Sequence, residues 1–130
     1  MNQRGFATLE VILMVVIIGI LATVAVPRFT DVTTKANTAK IQSDLTTIDT
    51  SIQIYYMEKG SYPTGTSIDA LSDYLMEIPK PPTGEAFIKG TDNKSKSTSI
   101  TGPDYLIDST SHRATLDGHT VGDFSTTKSE

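Results

Sequence analysis

The chain of 130 residues has no cysteine and no tryptophan, only two histidines, and 11 basic against 15 acidic residues. Without cysteine there is neither a disulfide framework nor a thiolate metal site, so a small fold must be held by packing or by assembly with other copies. His112 and His119, with serines concentrated in loops, supply no convergent nucleophile, base and oxyanion donors. Their spacing crosses a glycine turn and lacks a third ligand, which argues against a metal pair. No glycine-rich phosphate loop is present, so the reading is a non-enzyme without a cofactor. The formal charge of -4 gives no broad attraction for nucleic acid or an anionic membrane. Lys89, Lys94 and Lys96 form a small basic group beside Asp92, which reads as a solvated loop, with a DNA-backbone contact as an alternative that nothing else in the sequence supports.

Charge is also scarce near the N-terminus. From Phe6 to Val26 the sole charged side chain is Glu10, and a run of about 20 apolar residues is what a helix needs to cross a hydrocarbon core. An ordinary secretory signal would use Arg4 as its positive region, Val11 to Leu21 as its apolar region and Thr23-Val24-Ala25 as its cleavage site. That alternative makes the protein an exported monomeric binding module. Glu10 opposes it, because a carboxylate at membrane depth costs a few kcal/mol or more unless a partner meets it. Cleavage between Gly5 and Phe6 creates such a partner: the new α-amino group of Phe6 lies four residues, one helical turn, before Glu10. It can pair with its own Glu10 or with that of a neighbouring copy, turning a costly charge into a device for subunit register.

Arg4-Gly5 before Phe6, an acid at Glu10, a Val/Ile/Leu-rich run containing Gly19, and Pro27 at its close resemble the class III signal of type IV pilins and pseudopilins. The segment "FATLE" departs mildly from the commoner "FTLIE" or "FTLVE", while keeping Phe6 and Glu10 in place. The resemblance implies removal of residues 1–5 by prepilin peptidase, N-methylation of Phe6, and neutralisation by Glu10 of a neighbour's amine during assembly. It further implies a homo-oligomeric helical filament, a single-pass membrane reservoir before assembly, an assembly platform protein and minor pilins as partners, and local unwinding near Gly19 and Pro27. The site residues are therefore Arg4, Gly5 and Phe6 for processing, and Phe6, Glu10, Gly19 and Pro27 for assembly. The implied location is the bacterial cytoplasmic membrane and then the cell surface.

Beyond Pro27, Ile41, Leu45, Ile48, Ile52 and Tyr55 recur at steps of four and three, which predicts an amphipathic helix continuing from the apolar segment. Lys59-Gly60 supplies a stop and Tyr62-Pro63 prevents resumption. Thr33, Thr34, Thr38, Thr46, Thr47 and Thr50 are a heavy β-branched load for a helix, so packing against a sheet has to hold it. Ser67 is placed to cap a short helix containing Ile68, Leu71, Tyr74 and Leu75, ended by Pro79-Lys80-Pro81-Pro82. Brief strands are expected at "EAFIKG", "DYLID" and "HRATLDG", the last two forming a hairpin across a Ser-Thr-Ser link, with His112 on a strand surface. The polar run "KGTDNKSKSTSITGP" reads as an exposed loop.

The expected fold is thus α+β: a long N-terminal helix on a small antiparallel sheet. Its segments are a leader (1–5), an apolar assembly helix (6–26), an amphipathic helix (27–59), a connecting loop with a short helix (60–85), the sheet (86–124) and a flexible tail (125–130). Within the resembled family, the absence of an aspartate-rich, tryptophan-containing C-terminal loop favours a pilus for adhesion, motility or DNA uptake. The major pseudopilin of a type II secretion system is the alternative. Some secretion pseudopilins hold calcium in that loop. Asp104, Asp108, Asp117 and Asp123 are oxygen donors of the right type, but their spacing matches no calcium-loop signature, and turn chemistry accounts for them more simply.

Overall fold

One helix, α1 (Gln3–Lys59), continues through Pro27 and ends at the expected stop. The computed structural model describes residues 3–127; within the expected tail, positions 128–130 lie outside the described residues, as do positions 1 and 2 of the leader. The chain divides into two units at the boundary between Thr33 and Thr34.

In the first unit α1 stands alone. Its large apolar side chains are exposed, Phe6 at 78% and Phe29 at 71%. The helix is long and apolar enough to cross a membrane by length and composition. Its threonines turn inward for hydrogen bonds: the Thr8 hydroxyl donates to the Arg4 carbonyl at 2.9 Å and that of Thr23 to the Ile20 carbonyl at 2.7 Å. Bonding of this kind satisfies a hydroxyl where no water is at hand.

In the second unit the remainder of α1 buries Thr34, Thr38, Ile41, Leu45, Ile48, Ser51 and Ile52, one stripe at helical spacing. Gly60 at φ +72° takes the left-handed conformation after the last turn, and its N–H donates to the Tyr56 carbonyl at 2.8 Å. A side chain there would be strained, which is why glycine ends helices this way. Ser67 caps a single turn of 3₁₀-helix, Ile68–Leu71, accepting the Asp69 N–H at 3.1 Å. Leu75 and Tyr74 follow it in a turn rather than extending the helix as expected.

Strands β1 (Glu85–Lys89) and β2 (Ser95–Ser99) pair antiparallel, with Phe87 opposite Ser97. Strands β3 (Leu106–Ile107) and β4 (Ala114–Thr115) form a second antiparallel pair, with Ile107 opposite Ala114. Isolated bridges add Ser67 to Leu106 and Ile88 to Phe124. The core joins Ile41, Leu45, Ile48 and Ile52 of α1 to Leu71, Ala86, Ile107, Ala114, Leu116 and Phe124. Each isoleucine, leucine or phenylalanine among them, fully buried, contributes about 1.5–3 kcal/mol.

Two polar side chains on α1 fix the sheet's position. The buried Thr38 hydroxyl donates to the Thr34 carbonyl at 2.7 Å and accepts the Phe87 N–H at 2.8 Å. Asn37 Nδ2 donates to the carbonyls of Thr83 and Glu85 at 3.2 and 3.0 Å. Gly84 lies between them at φ +111°, and a Cβ there would stand 3.3 Å from Asn37 Nδ2.

Two further expectations need correction. The polar run read as a loop contains β2, reached by a tight turn in which the N–H of Gly90 donates to the Lys94 carbonyl at 2.9 Å. Only Ser95 of β2 is buried, so the strand needs no alternating apolar residues and gives no periodic signal. His112 is on a turn, not a strand surface: its φ is +55° and its N–H donates to the Asp108 carbonyl at 2.8 Å.

Candidate functional site

All six residues singled out for processing and assembly, Arg4, Gly5, Phe6, Glu10, Gly19 and Pro27, lie on α1 within the first unit. Positions 6 and 10 are one turn apart and therefore share a face. Glu10 is exposed, and among the described residues it takes part in no ion pair. A Cβ on Gly19 would meet nothing within 4 Å, so its own chain gives no reason for a glycine there. Pro27 removes an N–H from the helix ladder and leaves the Thr23 carbonyl without its usual donor. An apolar helix face with a lone acid, a bare glycine and a broken ladder bond is suited to burial by other helices rather than to catalysis.

The second unit carries polar ties that sequence periodicity did not reveal. Arg113 Nη2 and Nε reach Asp49 Oδ2 at 2.7 and 3.2 Å, and the Ala114 N–H reaches Asp49 Oδ1 at 2.7 Å. The Tyr105 hydroxyl, from a wholly buried side chain, donates to Asp44 Oδ2 at 2.7 Å. Burial, with that bond second, pushes the Tyr105 phenol far above its ordinary range. Lys40 Nζ meets the same carboxylate oxygen at 2.5 Å and the Lys80 carbonyl at 3.0 Å. An open groove of about 790 Å³ runs beside this network, walled by Leu75, Met76, Ile78 and Pro79. Tyr74 flanks it and donates to Glu58 Oε2 at 2.6 Å, a bond that pushes the Tyr74 phenol up to about 12. An acidic residue three or four positions from an apolar stripe was the available signal for Asp44 and Asp49. Their partners, 61 and 64 residues away, left none.

Three of the rings form one stack. Tyr62 stacks on His112 with ring centres 4.2 Å apart, and Tyr56 stacks on Tyr62 at 4.4 Å. Two of the three lysines of the β1–β2 hairpin are likewise engaged: Lys96 Nζ is 3.7 Å from Asp92, and Lys89 Nζ donates to the Gly122 carbonyl at 3.2 Å.

The aspartates weighed as calcium donors do not converge on one point among the described residues. Asp108 Oδ1 accepts the Thr110 N–H at 2.7 Å, a bond that holds its carboxyl below the usual range. Asp123 Oδ2 accepts both the N–H and the hydroxyl of Thr120, at 2.8 and 3.1 Å. Each closes its own turn. Among the described residues no group of three or more histidines, aspartates or glutamates converges where a metal ion would sit, whereas calcium takes 6–8 oxygens. No buried polar side-chain atom among them lacks a hydrogen-bond partner.

Comparison with known proteins gives three informative likenesses. The type II secretion system core protein G of Vibrio cholerae is 31% identical over 121 residues, covering 93% of this chain and 81% of that protein. The protein of the same name from Klebsiella michiganensis is 36% identical over 63 residues, 48% of this chain and 44% of that protein. The type IV narrow pilus major component PilA5 of Thermus thermophilus is 36% identical over 64 residues, 49% of this chain and 55% of that protein. With several such relatives, then, the match spans about half of their length. No family model matches the chain, and no solved structure does so.

Proposed function

The chain belongs to the type IV pilin and pseudopilin family, and from that premise we propose that it is the major structural subunit of a type II secretion pseudopilus. The observation that carries this reading is the long match to the core protein G of Vibrio cholerae, which at 93% of this chain extends past the N-terminal helix into the rest of the second unit, the head. The missing tryptophan favours a surface pilus instead, but one residue type weighs less than a match over 121 residues.

In this reading prepilin peptidase cuts after Gly5 and Phe6 is methylated at its new amine. Residues 6–26 hold the subunit in the cytoplasmic membrane until an assembly platform and minor subunits draw it into the fibre. There the Glu10 carboxylate meets the Phe6 amine of an adjacent copy, which relieves the cost of a buried charge and sets the stagger between helices. Gly19 allows close approach of helices, and Pro27 makes the ladder easy to open. The work is mechanical, with no catalytic step and no cofactor.

A surface pilus is the second reading, favoured by the likeness to PilA5. Deleting the gene in the producing cell separates the two. Loss of exported proteins from the medium with surface fibres intact supports the pseudopilus. Loss of surface fibres with secretion intact supports the pilus, and loss of neither contradicts both.

A further inference from the structure

Thr101 and Asp117 close a clasp that uses both oxygens of one carboxylate. The Thr101 N–H donates to Asp117 Oδ2 at 2.9 Å, and the Thr101 hydroxyl donates to Oδ1 at 3.1 Å. Asp117 reaches across from a two-residue hairpin turn in which Leu116 and His119 exchange both backbone hydrogen bonds at 2.9 Å. The two central residues have positive φ, +52° at Asp117 and +79° at Gly118. Asp-Gly is the sequence such a turn selects, because aspartate tolerates the left-handed region and glycine adopts it freely.

Gly102 makes the clasp possible. A Cβ there would stand 2.7 Å from Asp117 Oδ1 and 3.2 Å from Leu116 Cδ1. Leu116, next to the turn, is 1% exposed in the core. The clasp thus ties the segment leading into β3 to the turn leaving β4, directly above a core side chain.

Tying distant loops of a small C-terminal region together is what a bound cation does when carboxylates converge on it. Here the aspartates diverge, two of them closing local turns and Asp117 reaching Thr101. We propose that the Thr101–Asp117 clasp replaces a cation as the fastener of the C-terminal region, so that the head folds and stays folded without calcium. The assignment concerns the head and holds for either kind of filament.

The test uses the full-length mature chain in detergent micelles, with thermal unfolding followed by near-ultraviolet circular dichroism in excess chelator and in about 5 mM calcium. That concentration is above the dissociation constant of about 1 mM typical of weak calcium sites, so a bound ion would raise Tm by about 4 °C or more. The expected result is the same Tm in both media. Asp117→Asn keeps the turn and removes the charge, and Thr101→Val removes the hydroxyl; each is expected to lower Tm by about 2–4 °C in both media, as an exposed bond contributes about 0.5 kcal/mol. A rise with calcium that Asp117→Asn abolishes would make Asp117 a ligand and overturn the proposal. So would an unchanged Tm in both variants, since the clasp would then fasten nothing.

Discussion

Arg113 and Asp49 lie 64 residues apart in sequence, yet the guanidinium places two nitrogens on one carboxylate oxygen while the neighbouring Ala114 N–H takes the other. The carboxylate is the hub. Its side chain is 19% exposed against 49% for Arg113, so the backbone bond is the better shielded of the two. Asp49→Ala should therefore destabilise the head by about 1–3 kcal/mol, and Arg113→Ala by less than about 1 kcal/mol. Chemical denaturation of the two variants checks the order; an equal or reversed cost would remove Asp49 from the centre of this tie.

Tyr105 combines a fully buried ring with a hydroxyl held by Asp44. Tyr105→Phe keeps the ring and loses the bond, at a cost of about 1 kcal/mol. Tyr105→Ala empties the space and should cost about 3–5 kcal/mol. The test is whether the two variants separate by a clear margin in the same denaturation experiment.

Alkaline pH should weaken the head through the same residue. The folded phenol titrates above its ordinary value of 10.0, so the unfolded chain gives up that proton first. This contribution is whole below pH 10 and declines as the pH rises beyond it. Tyr74, pushed up to about 12, acts with the same sign but is too exposed to matter greatly. Denaturation midpoints measured on either side of pH 10 should fall more steeply for the native chain than for Tyr105→Phe.

Gly84→Ala should cost about 1–3 kcal/mol, because φ +111° strains any side chain and the added methyl group crowds Asn37 Nδ2 at 3.3 Å. Melting of this variant against Gly122→Ala, where a Cβ meets nothing within 4 Å, isolates the local effect.

Much of this architecture was legible in the chain because its signals are local. The stripe from Ile41 to Ile52, the Gly60 stop and the Ser67 cap each follow from residues within one or two turns of one another. Strand β2 escaped notice because "SKSTS" buries only its first residue, so hydrogen bonds to β1, not side-chain alternation, define it. The hydroxyl of Thr38 on Phe87, the Asp49–Arg113 tie and the stacking of His112 on Tyr62 depend on partners far along the chain, and composition cannot pair them. The assembly residues were readable for the opposite reason: a lone acid in an apolar run is conspicuous without any fold.

Glu10→Gln should leave leader removal intact and reduce entry into the filament, since the neutral amide cannot compensate a neighbour's Phe6 amine. Gly5 replaced by a bulky residue should leave the precursor uncut. Immunoblots for processing, with sheared-fibre fractions for assembly, read both; normal assembly of the Glu10 variant would remove the charge pair from the account.

The most direct measurement is the intact mass of the mature chain from its own cells, with sequencing of its first residues. The account predicts a chain beginning at Phe6 and carrying one methyl group on its amine. A chain beginning near Val26, or one retaining Met1, would contradict it, because neither presents the Phe6 amine that Glu10 is placed to meet.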